Sequence, residues 1–189
     1  MLDIKKLAIP GVQVLTPNQF NDDRGFFSEV YNRRTLSKVG IDTVFVQDNH
    51  SLSKSAGTVR GLHFQIEPHP IEKLVRVISG SVLDVVVDLR RGSPTFGEHT
   101  SVELSASNWK QIYVPVGLAH GFCTLEPHTE VAYKVTDYWS PDSDRGVAWD
   151  DPDLAIDWPV KREQALLSDR DLALPAPTEI PPYFTWEIE

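Results

Sequence analysis

KLVRVISGSVLDVVVDLR, residues 73–90, sets one apolar run on either side of Ser79-Gly80. Glycine at the pivot permits the positive φ of a tight turn, so the two runs are expected to fold back on each other as a hairpin. Val85, Val86 and Val87 are consecutive and apolar. Side chains alternate along a strand, so three in a row cannot share one face. This strand is therefore expected to be covered on both sides, as the middle strand of a double-layered structure.

Similar runs rich in Val, Ile, Phe and Tyr recur at residues 12–15, 26–31, 43–47, 99–104, 111–114 and 131–138, divided by Gly, Pro, Asn or Asp. That spacing predicts an antiparallel sandwich or barrel. Helical patterning is scarce. Residues 35–40 are expected to form a short helix ended by Gly40, and residues 161–167 another, neither with a long amphipathic stripe. From Leu172 onward Pro175, Pro177, Pro181 and Pro182 predict an extended C-terminal tail lying on the surface. With no repeat or linker, one compact domain over residues 1–189 is expected, its core within about 9–171.

Composition narrows the function classes. A hydrophobic fraction of 41% and a charged fraction of 24% exclude disordered and fibrous proteins. Eighteen basic against 27 acidic residues give a net charge of −9, a surface that repels nucleic acid and anionic membrane. An anionic ligand must then be held locally, and Arg24, Arg60, Lys73 and Arg170 are the candidates. The single cysteine, Cys123, can form no internal disulfide and is expected to be a buried small apolar residue. The N-terminus lacks the apolar run of a signal peptide, and no stretch approaches the roughly 18 apolar residues of a membrane span, so a cytoplasmic location is expected.

Five segments look unlike plain β-sheet: residues 23–29, 47–51, 60–65, 115–122 and 167–171. Between them they supply histidines, arginines, amides and carboxylates, the inventory of a polar ligand pocket. In RGLHFQ, residues 60–65, alternation places Arg60, Leu62 and Phe64 on one face and Gly61, His63 and Gln65 on the other. A lone strand histidine is ordinarily a satisfied core residue. With Lys73 ten residues on and a distant Asp171, a base with an orienting carboxylate is the second reading of His63. Two glycines around His120 suggest a turn in which backbone approaches a ligand closely. Alternation in residues 131–139 puts Tyr133 and Val135 on one face, and Lys134, Thr136 and Tyr138 on the other.

Six histidines in a β-rich chain raise a metal-binding cupin as a rival. Such a site generally needs two histidines one residue apart, a following Glu and a third His. Here Gln65 stands two after His63, and His69 lies between two prolines. The ligand set is incomplete, and no metal is expected.

Seven motifs stand in an order that resembles the dTDP-4-dehydrorhamnose 3,5-epimerase family, from about residue 9 to residue 171. They are DDRGFFSE (22–29), FVQDNHS (45–51), VRGLHFQ (59–65), the long stretch 72–97, VPVGLAHGF (114–122), VAYKVTDYWSP (131–141) and LSDRD (167–171). The resemblance implies an all-β cupin-like jelly roll (a double-stranded β-helix) with short peripheral helices, a homodimer without cofactor, and a dTDP-4-keto-6-deoxy sugar as substrate. It implies His63 as general base, Asp171 as its partner, Tyr133 as general acid and Lys73 as the cation beside the sugar carbonyl. It implies His120 in the sugar pocket, and Arg24, Phe27, Glu29, Gln47, Asn49, Arg60, Tyr138, Asp144 and Arg170 as further substrate contacts. The 24–29 segment is expected to reach into the partner subunit's site. Asp144 and Arg170 stand where the family often has Glu and Lys, which keeps the charge and alters contact geometry. An epimerase acting on C3 or C5 alone, and a non-catalytic sugar-nucleotide-binding cupin, are the competing readings; the presence of His63, Lys73, Tyr133 and Asp171 together disfavours the second.

Overall fold

Val85, Val86 and Val87 are each fully buried, by different neighbours on opposite sides. Val86 belongs to a core with Val75, Ile112, Phe122 and Val131. Val85 and Val87 belong to another with Leu62, Phe64, Val147 and Leu154. Burying one such side chain stabilises by roughly 1.5–3 kcal/mol, so the strand that carries all three ties two cores together.

The computed structural model describes residues 2–186. In chain order its first strands are β1 (Asp3–Lys6), β2 (Gln13–Thr16), β3 (Phe20–Asp22), β4 (Gly25–Phe27), β5 (Gln47–Ser53), β6 (Val59–Gln65), β7 (Lys73–Ser79) and β8 (Ser81–Asp88). They are followed by β9 (Arg90–Arg91), β10 (His99–Ser105), β11 (Gln111–Val114), β12 (Leu118–Thr124), β13 (Thr129–Val135), β14 (Asp144–Gly146) and β15 (Phe184–Thr185). One antiparallel sheet has the order β1-β2-β11-β7-β13-β5, and the facing one β10-β8-β12-β6-β14. From β5 to β8, and again from β11 to β14, successive strands alternate between the two layers, the winding of a jelly roll. The fold is the all-β one expected.

Residues 73–90 do not form the predicted hairpin. Strand β7 pairs with β11 and β13, and β8 with β10 and β12, so Gly80 carries the chain from one layer to the other. Its φ of 76° and the Thr129 side chain packed where a Cβ would stand make glycine necessary at this corner. As interior strands of separate sheets, both runs are paired along both edges, which a lone hairpin cannot provide.

Other boundaries shift for local reasons. Of residues 26–31 only the start is strand, paired in the β3–β4 hairpin. Beyond it the Ser28 hydroxyl accepts from the Trp109 indole at 3.1 Å, and the Gln111 amide donates to the Val30 carbonyl at 3.0 Å. Residues 43–46 lie outside β5, whose approach to β13 begins with the Val46 N–H donating to Val135. At the far end of β13 the Thr136 hydroxyl accepts from the Glu72 N–H and the Asp137 carboxylate from the Tyr138 N–H, turning the chain out of the sheet.

Helix α1 spans Arg33–Ser37, starting two residues earlier than expected, because the Asn32 side chain caps its first N–H groups. Residues 161–167 form only a 3-10 turn, Arg162–Gln164, because Leu166 is drawn into a parallel bridge with Thr58. Helix α2, Asp169–Leu172, follows.

The tail lies on the outer face, none of residues 172–186 buried, and is fastened to it. Ile180, Tyr183 and Phe184 pack on the outer face of the five-stranded sheet, and β15 pairs in parallel with β9. The Arg90 guanidinium lies 4.4 Å from the centre of the Trp186 ring.

Candidate active site

Strand β6 makes the first decision of the site. Its pairing with β12 joins His63 to His120 and Arg60 to Phe122, so β6 spends three steps where β12 spends two. The extra residue is a bulge. It overturns the predicted alternation: Arg60 and His63 line the same cleft, while Leu62 and Phe64 face the outer core. Two glycines permit it. A Cβ on Gly61 would stand 2.5 Å from the Gly121 Cα, and one on Gly121 2.7 Å from the Arg60 carbonyl oxygen. The glycine after His120 thus serves strand-to-strand approach rather than ligand approach. His120 itself is a buried mid-strand residue, not a turn residue.

The cleft opens between the sheets in two lobes of about 510 and 240 Å³ that share His63, Lys73, Tyr133 and Arg170. His63 enters from β6, on the five-stranded sheet. Its Nε2 meets Asp171 Oδ1 at 2.6 Å. The Ser168 hydroxyl, accepting from the Asp171 N–H at 3.1 Å, starts α2 and fixes the carboxylate's position. Burial pushes the Asp171 carboxyl upward, but hydrogen bonding and charge attraction from His63, with smaller help from Ser168 and Arg170, outweigh it and hold the group below the usual carboxylate range.

Tyr133 enters the same cleft from β13, on the facing sheet. Burial, against a smaller opposing pull from Arg60, raises its hydroxyl above the usual tyrosine range and keeps it protonated. Lys73, the first residue of β7, spans the gap: its Nζ donates to the His63 carbonyl at 3.1 Å. Burial lowers its pKa to about 8, although Asp84 and Asp144 pull the other way.

His120 Nε2 lies 2.9 Å from Asp84 Oδ2, and burial lowers the histidine despite that partner, so it is neutral. Sequence reading missed Asp84. Its other oxygen, Oδ1, is buried without a hydrogen-bond partner among the described residues. The signal was available: an acid inside VLDVVV, on a strand covered on both faces, is a buried charge beside a cation.

Gln47 and Asn49 line the smaller lobe, the Gln47 amide donating to Asn49 Oδ1 at 2.9 Å. Arg60 lines the larger lobe, its Nε donating to the Ser53 hydroxyl at 3.2 Å. Arg170 pairs with Asp144 at 2.7 Å where the lobes meet. Tyr138 is 64% exposed beside the smaller lobe. The structure does not bring Arg24, Phe27 or Glu29 to the cleft. Arg24 pairs with Asp22 of its own exposed hairpin, Phe27 is 70% exposed, and Glu29 lines a separate hollow by α1. Among the described residues no three His, Cys, Asp or Glu side chains cluster as metal ligands would.

A histidine–carboxylate pair and a tyrosine on facing sheets, with a lysine between them, place the chain among jelly-roll isomerases of the epimerase type. Residues 6–179 match the family described as dTDP-4-dehydrorhamnose 3,5-epimerase. The enzyme of that name from Pseudomonas aeruginosa is 50% identical over 167 residues, 88% of this chain and 91% of the relative. The crystal structure of dTDP-6-deoxy-D-glucose-3,5-epimerase from Legionella pneumophila in complex with dTDP-4-keto-L-rhamnose superposes with a TM-score of 0.94 at 39% identity, covering 100% of both chains. A 3'-monoepimerase from Streptomyces bikiniensis, solved with dTDP-quinovose, reaches 0.85 at 33% identity over 91% of this chain and 86% of its own. The chain belongs to the dTDP-4-dehydrorhamnose 3,5-epimerase family.

Proposed function

We propose that the chain epimerises dTDP-4-dehydro-6-deoxy-D-glucose at C3 and C5, giving dTDP-4-dehydro-L-rhamnose through enolate intermediates. The observation that carries this reading is the entry of His63 and Tyr133 into one cleft from facing sheets. Both carbons flank the C4 ketone, so loss of either proton places charge on the same oxygen, and one cation serves both steps. Lys73 is that cation. Removing one such electrostatic donor typically costs about 2.7–4 kcal/mol. His63 takes each proton on one side, and Asp171 fixes its tautomer and stabilises the imidazolium. Tyr133 returns a proton on the other side, and the centre inverts.

His120 borders the sugar, while Arg60, Arg170, Gln47, Asn49, Asp144 and Tyr138 serve the nucleotide. In a homodimer, Arg24, Phe27 and Glu29 on the projecting β3–β4 segment complete the partner's site. The exposure of Phe20, Phe26 and Phe27 at 62%, 54% and 70% supports that placement. The fold shared with a 3'-monoepimerase favours one second reading, inversion at C3 alone. Deuterium wash-in from heavy water, read by NMR, separates them: label at both C3 and C5 is expected, label at one carbon supports the second reading, and label at neither overturns both.

A further inference from the structure

Gln65 stands on β6 two residues beyond His63, where a metal-binding cupin would place a ligand. It is buried, and its carboxamide is used at both ends. Nε2 donates to the His69 carbonyl at 2.7 Å and to the Tyr138 carbonyl at 3.2 Å, while Oε1 accepts from the Ser140 N–H at 2.9 Å. Its partners lie on two separate segments, one before β7 and one after β13. Those segments are joined a second time where His69 Nδ1 meets Asp137 Oδ2 at 2.9 Å. Residues 138–140 are thus fastened at the backbone and Asp137 by its side chain, while Trp139 stands 63% exposed at the mouth of the smaller lobe.

The exposed indole is not idle. Trp139 Nε1 donates to Asp144 Oδ2 at 3.1 Å, and Asp144 Oδ1 holds the Arg170 guanidinium at 2.7 Å. The contacts form one chain, from the Gln65 amide through the 138–140 backbone and the indole to a carboxylate and then to a cation in the cleft. Without the indole N–H, the Asp144 carboxylate is free to rotate and Arg170 with it.

We infer that Gln65 is a positioning residue for nucleotide binding: it aims the Trp139 indole at Asp144 and so presets Arg170 for the diphosphate. This rests on the nucleotide reading above. An amide suits the position because it donates twice and accepts once, which no carboxylate can do.

The test uses dTDP alone as the probe, measured by titration calorimetry. Gln65→Glu keeps size and still accepts from Ser140, but it turns oxygen toward two carbonyls. Trp139→Phe removes the indole N–H while keeping an aromatic ring. The dTDP dissociation constant is expected to rise about tenfold in Gln65→Glu and about fivefold in Trp139→Phe. The double variant is expected to be no weaker than Gln65→Glu, because both changes break one chain. In turnover KM should rise with the dissociation constant while kcat at saturation stays within about threefold of wild type, since the His63–Asp171 pair is untouched.

Wild-type dTDP affinity in folded Gln65→Glu, additive losses in the double variant, or a fall in kcat at unchanged KM would each overturn the inference. If Gln65→Glu does not fold, Trp139→Phe decides alone, and unchanged affinity there overturns it. Wild-type protein that fails to bind dTDP overturns the nucleotide reading and this inference together; wild-type binding with indifferent variants overturns this inference only.

Discussion

Lys73 is buried among groups that pull its proton affinity in both directions, with burial dominant and the result near pH 8. A cation that stabilises the enolate oxygen must keep its proton. The kcat/KM profile of the free enzyme is therefore expected to fall above about pH 8, and Lys73→Arg, whatever its absolute rate, to lose that limb up to at least about pH 9.5. Folding carries the same shift with its own sign. An unfolded lysine holds its proton to about 10.5 and folded Lys73 only to about 8, so between those values the unfolded chain binds more protons. Stability gains from this group as pH rises through that window, and at neutral pH the buried charge opposes folding by on the order of 3 kcal/mol. Lys73→Met is expected to be more stable than wild type in urea at pH 7 and nearly inactive. The two groups proposed to transfer protons separate in another way. His63→Asn should abolish deuterium exchange at C3 and C5, because no enolate forms without a base. Tyr133→Phe should retain exchange while losing inversion, because the base can return the proton to the face it left. Near wild-type exchange in His63→Asn would refute the assignment of the base.

At the scale of elements, the β6 bulge decides which side chains the cleft receives. Regular alternation sends Arg60 away from His63, and the inserted residue brings the two together. Gly61→Ala is expected to cost about 2–5 kcal/mol in chemical denaturation, the sum of a strained φ of +143° and a clash with the β12 backbone. The bulge was only partly legible. Glycines at 61 and 121 stand out in the sequence, but what each would meet is set by the other strand. The helices show the same divide. Gly40, with its φ of 84°, closes the turn that follows α1 rather than the helix itself, which ends at Ser37, and the start fell to a local Asn32 cap. The loss of helix at residues 161–167 came from a bridge to Thr58, more than a hundred residues away in sequence.

Across the whole molecule, the net charge of −9 coexists with a cleft that gathers Arg60, Lys73 and Arg170, a local cationic group on an acidic chain. The exposed hairpin bearing Arg24 and Phe27 does not line that cleft. If it completes a partner's site, Arg24→Glu and His63→Asn, each weak alone, should restore up to about one quarter of wild-type activity when mixed and allowed to exchange subunits. Mixtures no more active than the sum of the two would rule out sharing.

The sequence by itself determined the layered all-β fold, because apolar alternation and turn residues are local properties of the chain. Through unusual segments it also marked His63, Asp171, Arg60 and Arg170, which meet in the cleft, while Tyr133 and the role of Lys73 came from the family resemblance. Tertiary structure alone decided the rest. It split residues 73–90 between two sheets, turned Arg60 inward, placed Asp84 beside His120, closed the tail over the outer face and spent Gln65 on a loop. Each of these depends on a hydrogen-bond partner or a packing surface far along the chain, and no local pattern records which of the available partners a buried polar group will take.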